Sequence, residues 1–289
     1  MVWSCLVSIL PGMAQTEKLT DYVNPFVGTD GYGNVYPGAQ IPFGGIQISP
    51  DTDSRFYDAA SGYKYNHLTL MGFSLTHLSG TGIPDLGDFL FIPGTGEMKL
   101  EPGTHEDPDQ GYRSRYSHDK EWASPNYYAV ELADYGVKAE MTSGVRSGMF
   151  RFTYPESDNA FIMIDMNHTL WQSCEWSNLR MINDSTITGY KLVKGWGPER
   201  HVYFTATFSK KLTGLRFVQD KKPVIYNTSR FRSSYEAWGK NLMACISFDT
   251  KAGEEVTVKT AISAVSTDGA RNNMKELDGL TFNELRAKG

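Results

Sequence analysis

An antiparallel β-sandwich is the fold class this sequence predicts, on three observations. From Tyr127 onward, apolar and polar residues alternate with period 2 in short runs. Gly, Asp, Asn and Pro punctuate those runs at turn spacing. Helical periodicity is almost absent until the last residues.

The runs follow in order. "YYAVELADYGVKAEM" puts Tyr128, Val130 and Leu132 on one face, turns at Asp134-Tyr135-Gly136 and returns with Val137, Ala139 and Met141. "SGMFRFTY" alternates Phe150, Phe152 and Tyr154 with Arg151 and Thr153, and "FIMIDM" reads as a short buried strand. "HVYFTATFS" and "NLMACISF" alternate again, and "EEVTVKTAIS" follows the turn "KAGE". Residues before about 110 differ: Gly and Pro recur, strands such as "GGIQISP" and "GDFLFIP" are brief, and ordered loop dominates. Ordered loops on a rigid sheet are where sites are built. At the end, Thr281 stands three residues before Glu284, a capping box that opens a helix. The chain stops five residues after Glu284, inside that helix, which reads either as a break within a longer polypeptide, the preferred alternative, or as a short docked tail.

Composition narrows the function. Of 289 residues 40% are hydrophobic and 21% charged, enough apolar side chain for a large core. The aromatic share of 13% suits pleated sheets, and also surfaces that stack on sugars. Net charge is −5 and no basic block occurs, which argues against a nucleic-acid partner. No apolar run is long enough for a membrane helix. "MVWSCLVSILPGMAQ" reads as a shortened or mis-started secretory signal over residues 1–14, with small residues before Gln15; the alternative is an ordinary apolar N-terminal strand, against which Pro11-Gly12 argues. Cys5 would leave with the signal. Cys174 and Cys245 remain; their spacing leaves open whether they pair, and Cys245 in "LMACISF" reads as a buried, inert thiol.

The glycine-rich half fails the familiar catalytic templates. Gly31-Tyr32-Gly33 lacks the third glycine and the helix of a dinucleotide fingerprint. "DTDSRF" has Arg55 and Phe56 where a calcium loop needs a ligand and a glycine. In "GFSLTHLSGTGIPDLGD" (72–88), Thr76 stands where a nucleophile elbow needs its second glycine. His77 has no partner at metalloprotease spacing. Beside Ser79, Thr81 and Asp85 it reads either as the polar wall of a ligand site or as a side chain satisfying backbone groups in a tight double turn. Asp88 starts a strand and reads as a turn-capping carboxylate. No spacing marks the carboxylate pair of a glycosidase.

Motif order adds what spacing does not. "DYVNPFVGT", "YPGAQIPFGGIQISPDT", "SGYKY", "GFSLTHLSGTG", "DLGDFLFIP", "YSHDKEWASPNYYAVEL" and "ISAVSTDGA", in that order over roughly residues 20–285, resemble the N-terminal domain of glycoside hydrolase family 92. These are calcium-dependent, inverting exo-α-mannosidases common in gut Bacteroidetes. The resemblance implies a galactose-mutarotase-like supersandwich over residues 15–275. It makes residues 276–289 the start of a linker helix to a C-terminal (α/α)6 barrel absent from this chain. That barrel would hold the general acid, the general base and the calcium ligands, so this chain carries no catalytic or metal residue of its own. The sandwich would supply the wall of a mannose pocket, at Phe26, Gly31, Tyr57, Asp58 and Ala60, with His77 a lesser candidate.

The chain departs from the family pattern in three places. Tyr32–Asn34 lacks a common histidine, Phe56-Tyr57 and Ala59-Ala60 lack a tryptophan and a cysteine, and Lys64 replaces the histidine of "SGYHY". The expectation is therefore the sugar-facing domain of a secreted or periplasmic bacterial α-mannosidase, inert alone, whose partners are a mannose-containing glycan and the barrel. Its rivals are a stand-alone carbohydrate-binding module and a scaffold that binds nothing.

Overall fold

The computed structural model describes residues 18–55, 57, 59–224 and 236–289. The segment read as a signal, residues 1–14, lies outside them. The glycine-rich half supplies β1 (Ser49–Asp51), β2 (Thr69–Leu70), β3 (Gly72–Ser74), β4 (Leu90–Thr95), β5 (Ser114–Arg115) and β6 (Glu121–Ser124). Then come β7 (Tyr127–Leu132), β8 (Val137–Ser143), β9 (Ser147–Tyr154), β10 (Ser157–Asp165), β11 (Ser173–Asn183) and β12 (Thr186–Lys194). The last strands are β13 (Arg200–Phe208), β14 (Gly214–Gln219), β15 (Lys222–Pro223), β16 (Glu236–Gly239), β17 (Leu242–Thr250) and β18 (Glu254–Ser263). Two helices close the chain, α1 (Thr267–Asn273) and α2 (Phe282–Lys288).

Among the described residues the strands form two large antiparallel sheets, as the alternation predicts. One has seven strands in the order β1-β3-β4-β10-β17-β14-β15; the other has nine, β16-β11-β12-β13-β18-β9-β8-β7-β6. The predicted turn at 134–136 joins β7 to β8 with Tyr128 opposite Met141 and Val130 opposite Ala139. The main core lies between the sheets. Phe91 of β4 meets Phe150 of β9 at 4.9 Å between ring centroids, and Phe204 of β13 at 6.3 Å. Each such buried ring contributes about 1.5–3 kcal/mol.

Both sheets are also covered outside, which explains the unbroken apolar run in β10. Ile162 and Ile164 face the main core, whereas Phe161 and Met163 join Leu90, Ile92, Met243 and Cys245 in a second cluster on the opposite face. On the outer face of the nine-stranded sheet, Tyr127, Ala129 and Met149 pack against Leu277, Phe282 and Leu285. The helix predicted from Thr281 is there. The Thr281 hydroxyl accepts from the Glu284 amide and the Glu284 carboxylate accepts from the Thr281 amide. α2 folds back onto the sheet, with Arg286 stacked on Tyr127 at 3.4 Å.

Three details depart from the sequence reading. "GGIQISP" forms a strand only from Ser49, with one isolated bridge between Ala39 and Ile48 upstream. The β11–β12 hairpin is long, yet "SCEWSNLRMIN" carries too many polar residues on its outer face to announce itself. α1 is capped by Ser266, whose hydroxyl accepts from the Gly269 amide, but Gly269, Asn272 and Asn273 are weak helix formers.

Candidate functional site

The segment 72–88 turns out to tie two buried ionic groups together. Asp51, at the end of β1, is sealed from solvent between two histidines. His77 Nε2 stands 2.7 Å from Asp51 Oδ1, and His168 Nε2 stands 2.8 Å from Asp51 Oδ2. His77 Nδ1 donates to the Gln47 carbonyl at 2.8 Å, so both of its ring nitrogens face acceptors. Burial alone pushes the Asp51 carboxyl up, but the charge of His77 and the hydrogen bonds from His168 and His77 outweigh it. The group is held well below the usual carboxylate range. Gly62 closes over this carboxylate: at φ +88° a Cβ there would lie 2.1 Å from Asp51 Oδ1.

The second group adjoins the first. The His168 carbonyl accepts from Lys191 Nζ at 2.6 Å, and the same nitrogen lies 3.1 Å from Asp88 Oδ1. Lys191 is fully buried. Arg200 donates to both Asp88 oxygens, at 2.5 and 3.2 Å, and the Thr76 hydroxyl donates at 2.7 Å. Burial opposes the charge on Asp88; Lys191 and Arg200 overcome it and hold the carboxyl down. Asp88 thus does more than cap a turn. Both oxygens of each carboxylate are ion-paired or hydrogen-bonded, which is the pattern of a buried structural ionic group.

The residues expected at the pocket wall fall in different surroundings. Phe26 is partly buried, its ring 5.7 Å from Tyr65 and 6.5 Å from Tyr63. Tyr65 stacks flat on His118 at 3.9 Å, and His118 Nδ1 lies 2.6 Å from Glu121. Glu121 also accepts from the hydroxyls of Tyr63 and Tyr128, so a buried carboxylate anchors the Phe26 platform. Gly31 has φ +59° and open space where a Cβ would stand. Tyr57 is half exposed with φ +66°, Ala60 is buried, and His77 is buried in the Asp51 group. Asp58 lies outside the described residues. The Phe26 loop and the Tyr63–Tyr65 turn come together, since the Tyr65 amide donates to the Thr29 carbonyl at 2.9 Å. His77 lies beneath, with Gly62 against its ring and Tyr36 at 5.1 Å.

Sequence spacing did not single out Asp53, His67 and His105. Their donor atoms lie within 4.8 Å of one another, from a buried carboxylate and two half-buried imidazoles. The available signal was the alternation Asp51-Thr52-Asp53, which sends both carboxylates to one side of the chain. Two imidazoles in three donors do not fit calcium, which takes six to eight oxygens. A groove of about 780 Å³ opens nearby, bordered by Ser54, Tyr112, Asp165, His168, Trp171 and Lys240. Trp171, half exposed, holds φ +80°. Cys174 and Cys245 are both buried free thiols.

The family profile described as the glycosyl hydrolase family 92 N-terminal domain matches residues 22–263. The GH92 family glycosyl hydrolase ccman5 superposes with a TM-score of 0.78 at 27% identity, over 93% of this chain and 36% of that one. The family GH92 inverting mannosidase of Bacteroides thetaiotaomicron superposes with a TM-score of 0.76 at 24% identity, over 94% and 36%. An uncharacterized secreted glycosidase of Arthroderma benhamiae is 30% identical over 139 residues, 47% of this chain and 17% of that protein. The chain therefore spans about a third or less of the length of these relatives. With the profile covering most of its length, the chain belongs to glycosyl hydrolase family 92, as the N-terminal β-sandwich domain.

Proposed function

We propose that this chain is the sugar-facing N-terminal domain of a secreted, inverting α-mannosidase acting on terminal mannose of N-glycans or mannans, and that it is inactive alone. A C-terminal (α/α)6 domain would supply the general acid, the general base and the calcium ligands, in keeping with a donor set here that does not suit calcium. One observation carries the reading. Of the seventeen exposed large hydrophobic residues among those described, nine fall within residues 19–68, including Tyr22, Val27, Tyr32, Phe43 and Leu68. Apolar side chains so concentrated in the glycine-rich half fit a surface made to be covered by protein. The chain's own residues would then shape the pocket: Phe26 and Tyr57 as aromatic wall, Gly31 allowing close backbone approach, and the Asp51–His77 group holding the loops rigid beneath.

The test is hydrolysis of a chromogenic α-mannoside. The chain alone should give no turnover, and adding the separately expressed helical domain should restore it. Turnover by the chain alone overturns the reading.

A second reading, a stand-alone carbohydrate-binding module, is favoured by the groove beside exposed Trp171. It predicts saturable binding of mannosides in calorimetry that Trp171→Ala abolishes. The pocket-wall reading predicts none until the helical domain is present.

A further inference from the structure

We propose that Asp53, His67 and His105 form a binding site for a zinc-like divalent transition metal, separate from any calcium chemistry of the family. The inference is independent of the mannosidase reading.

The geometry is that of a site nearly assembled. A tetrahedral zinc with bonds of about 2.0–2.1 Å holds its ligand atoms about 3.3 Å apart. His105 Nε2 lies 3.2 Å from Asp53 Oδ2, already at that spacing, and the third donor falls within 4.8 Å of both. The imidazoles lie with ring centroids 4.1 Å apart, so both rings flank the Asp53 carboxylate, and the third donor has to close from within 4.8 Å to the tetrahedral spacing as the metal binds. Three protein ligands leave a fourth position open to water or a ligand oxygen.

The outer contacts also suit a metal. Histidine ligands characteristically engage their second ring nitrogen in a hydrogen bond that fixes the ring. His105 Nδ1 lies 2.8 Å from the Thr69 hydroxyl, and His67 Nδ1 lies 3.0 Å from the Thr52 hydroxyl. Thr52 Oγ1 is itself held, accepting from the Lys64 amide and donating to the Gly62 carbonyl. The other Asp53 oxygen accepts from the Ser54 and Arg55 amides at 2.8 and 2.9 Å, which aims Oδ2 at the histidines.

Two cations shape the affinity. Arg55 bonds Asp53 Oδ2 from a side chain 60% exposed, and would swing aside as the metal takes its place. Arg113, buried behind Thr69, stays and lowers the affinity for any cation. Imidazole donors select zinc, copper or nickel over calcium and magnesium.

The experiment is calorimetric titration of the chelator-stripped chain with Zn²⁺ and, separately, Ca²⁺. One Zn²⁺ per chain is expected, with no comparable Ca²⁺ binding. His67→Ala and His105→Ala should each weaken Zn²⁺ by at least about tenfold, while His201→Ala, at an exposed histidine elsewhere, leaves it unchanged. Circular dichroism checks that each variant folds. Should a variant fail to fold, X-ray absorption of the zinc-loaded native chain decides, since two imidazole scatterers are expected. No saturable Zn²⁺ binding, equal Ca²⁺ binding, affinity unmoved in both folded variants, or a zinc shell without imidazole overturns the proposal.

Discussion

Asp51 and Asp53 are two residues apart on one side of one extended segment, and each meets histidine, yet they sit in opposite situations. Asp51 has an imidazole on each oxygen, none of its surface exposed and Gly62 closed over it. Asp53 is nearly as buried in its carboxylate, but its partners His67, His105 and Arg55 reach solvent. The first arrangement is complete and rigid; the second is held in place from behind and can exchange one cation for another. Two residues along the chain thus separate a structural carboxylate from one able to take a ligand.

Four measurements would break or sharpen that contrast. Asp88→Ala should have the largest effect, leaving buried Lys191 without its counter-charge and Arg200 with only Asp85, at 3.9 Å. A loss of about 3–5 kcal/mol is expected in urea denaturation, and a loss below about 1 kcal/mol would mean the closed half is not held by its charges. Gly62→Ala comes next, at about 1–3 kcal/mol, because its Cβ meets Asp51 and its backbone is left-handed. If the variant is as stable as the parent, the lid over Asp51 yields easily and the two carboxylates are less different than they look.

The third is a pH dependence. Asp51 titrates lower in the folded chain than in the unfolded one, so the unfolded state binds protons first as pH falls. The stability it contributes is complete above the unfolded value of about 4 and is lost progressively below it. Asp51→Asn should flatten the fall of the urea midpoint in that acid range; an unchanged slope would show that other carboxylates carry it. Smallest should be Asp53→Asn in the metal-free chain, about 1 kcal/mol or less, because the amide keeps an oxygen for the Ser54 and Arg55 amides and the cation it gives up, Arg55, is well exposed. A loss as large as that of Asp88→Ala would place Asp53 with the closed group.

The same contrast marks what could be read from the sequence. Strands β7 to β9 and β13, β17 and β18 announced themselves because one face meets the inter-sheet core, and period 2 records that face directly. The cap at Thr281–Glu284 was equally plain, since both partners are local. β11 and β12 were not, and Lys191 shows why: an inward-facing lysine on a strand contradicts the alternation rule until its partner is known. That partner, Asp88, comes from another sheet's approach, and His168 reaches Asp51 across 117 positions. Spacing carries no trace of such meetings. His77 was legible as one of two alternatives, and the structure gives it backbone and carboxylate partners together. Asp58 and the segment before residue 18 lie outside the described residues.

Lys191 has one more consequence. It faces inward on β12 with Ile187, Gly189 and Val193, opposite Ser177 on β11 and Val202 on β13. Sliding β12 by a single residue would turn that ammonium to water, bring Leu192 or Tyr190 inward, and strand Asp88. An all-apolar strand would tolerate such an offset with little more than imperfect packing. The buried charge therefore adds a cost to any alignment of β12 other than the observed one.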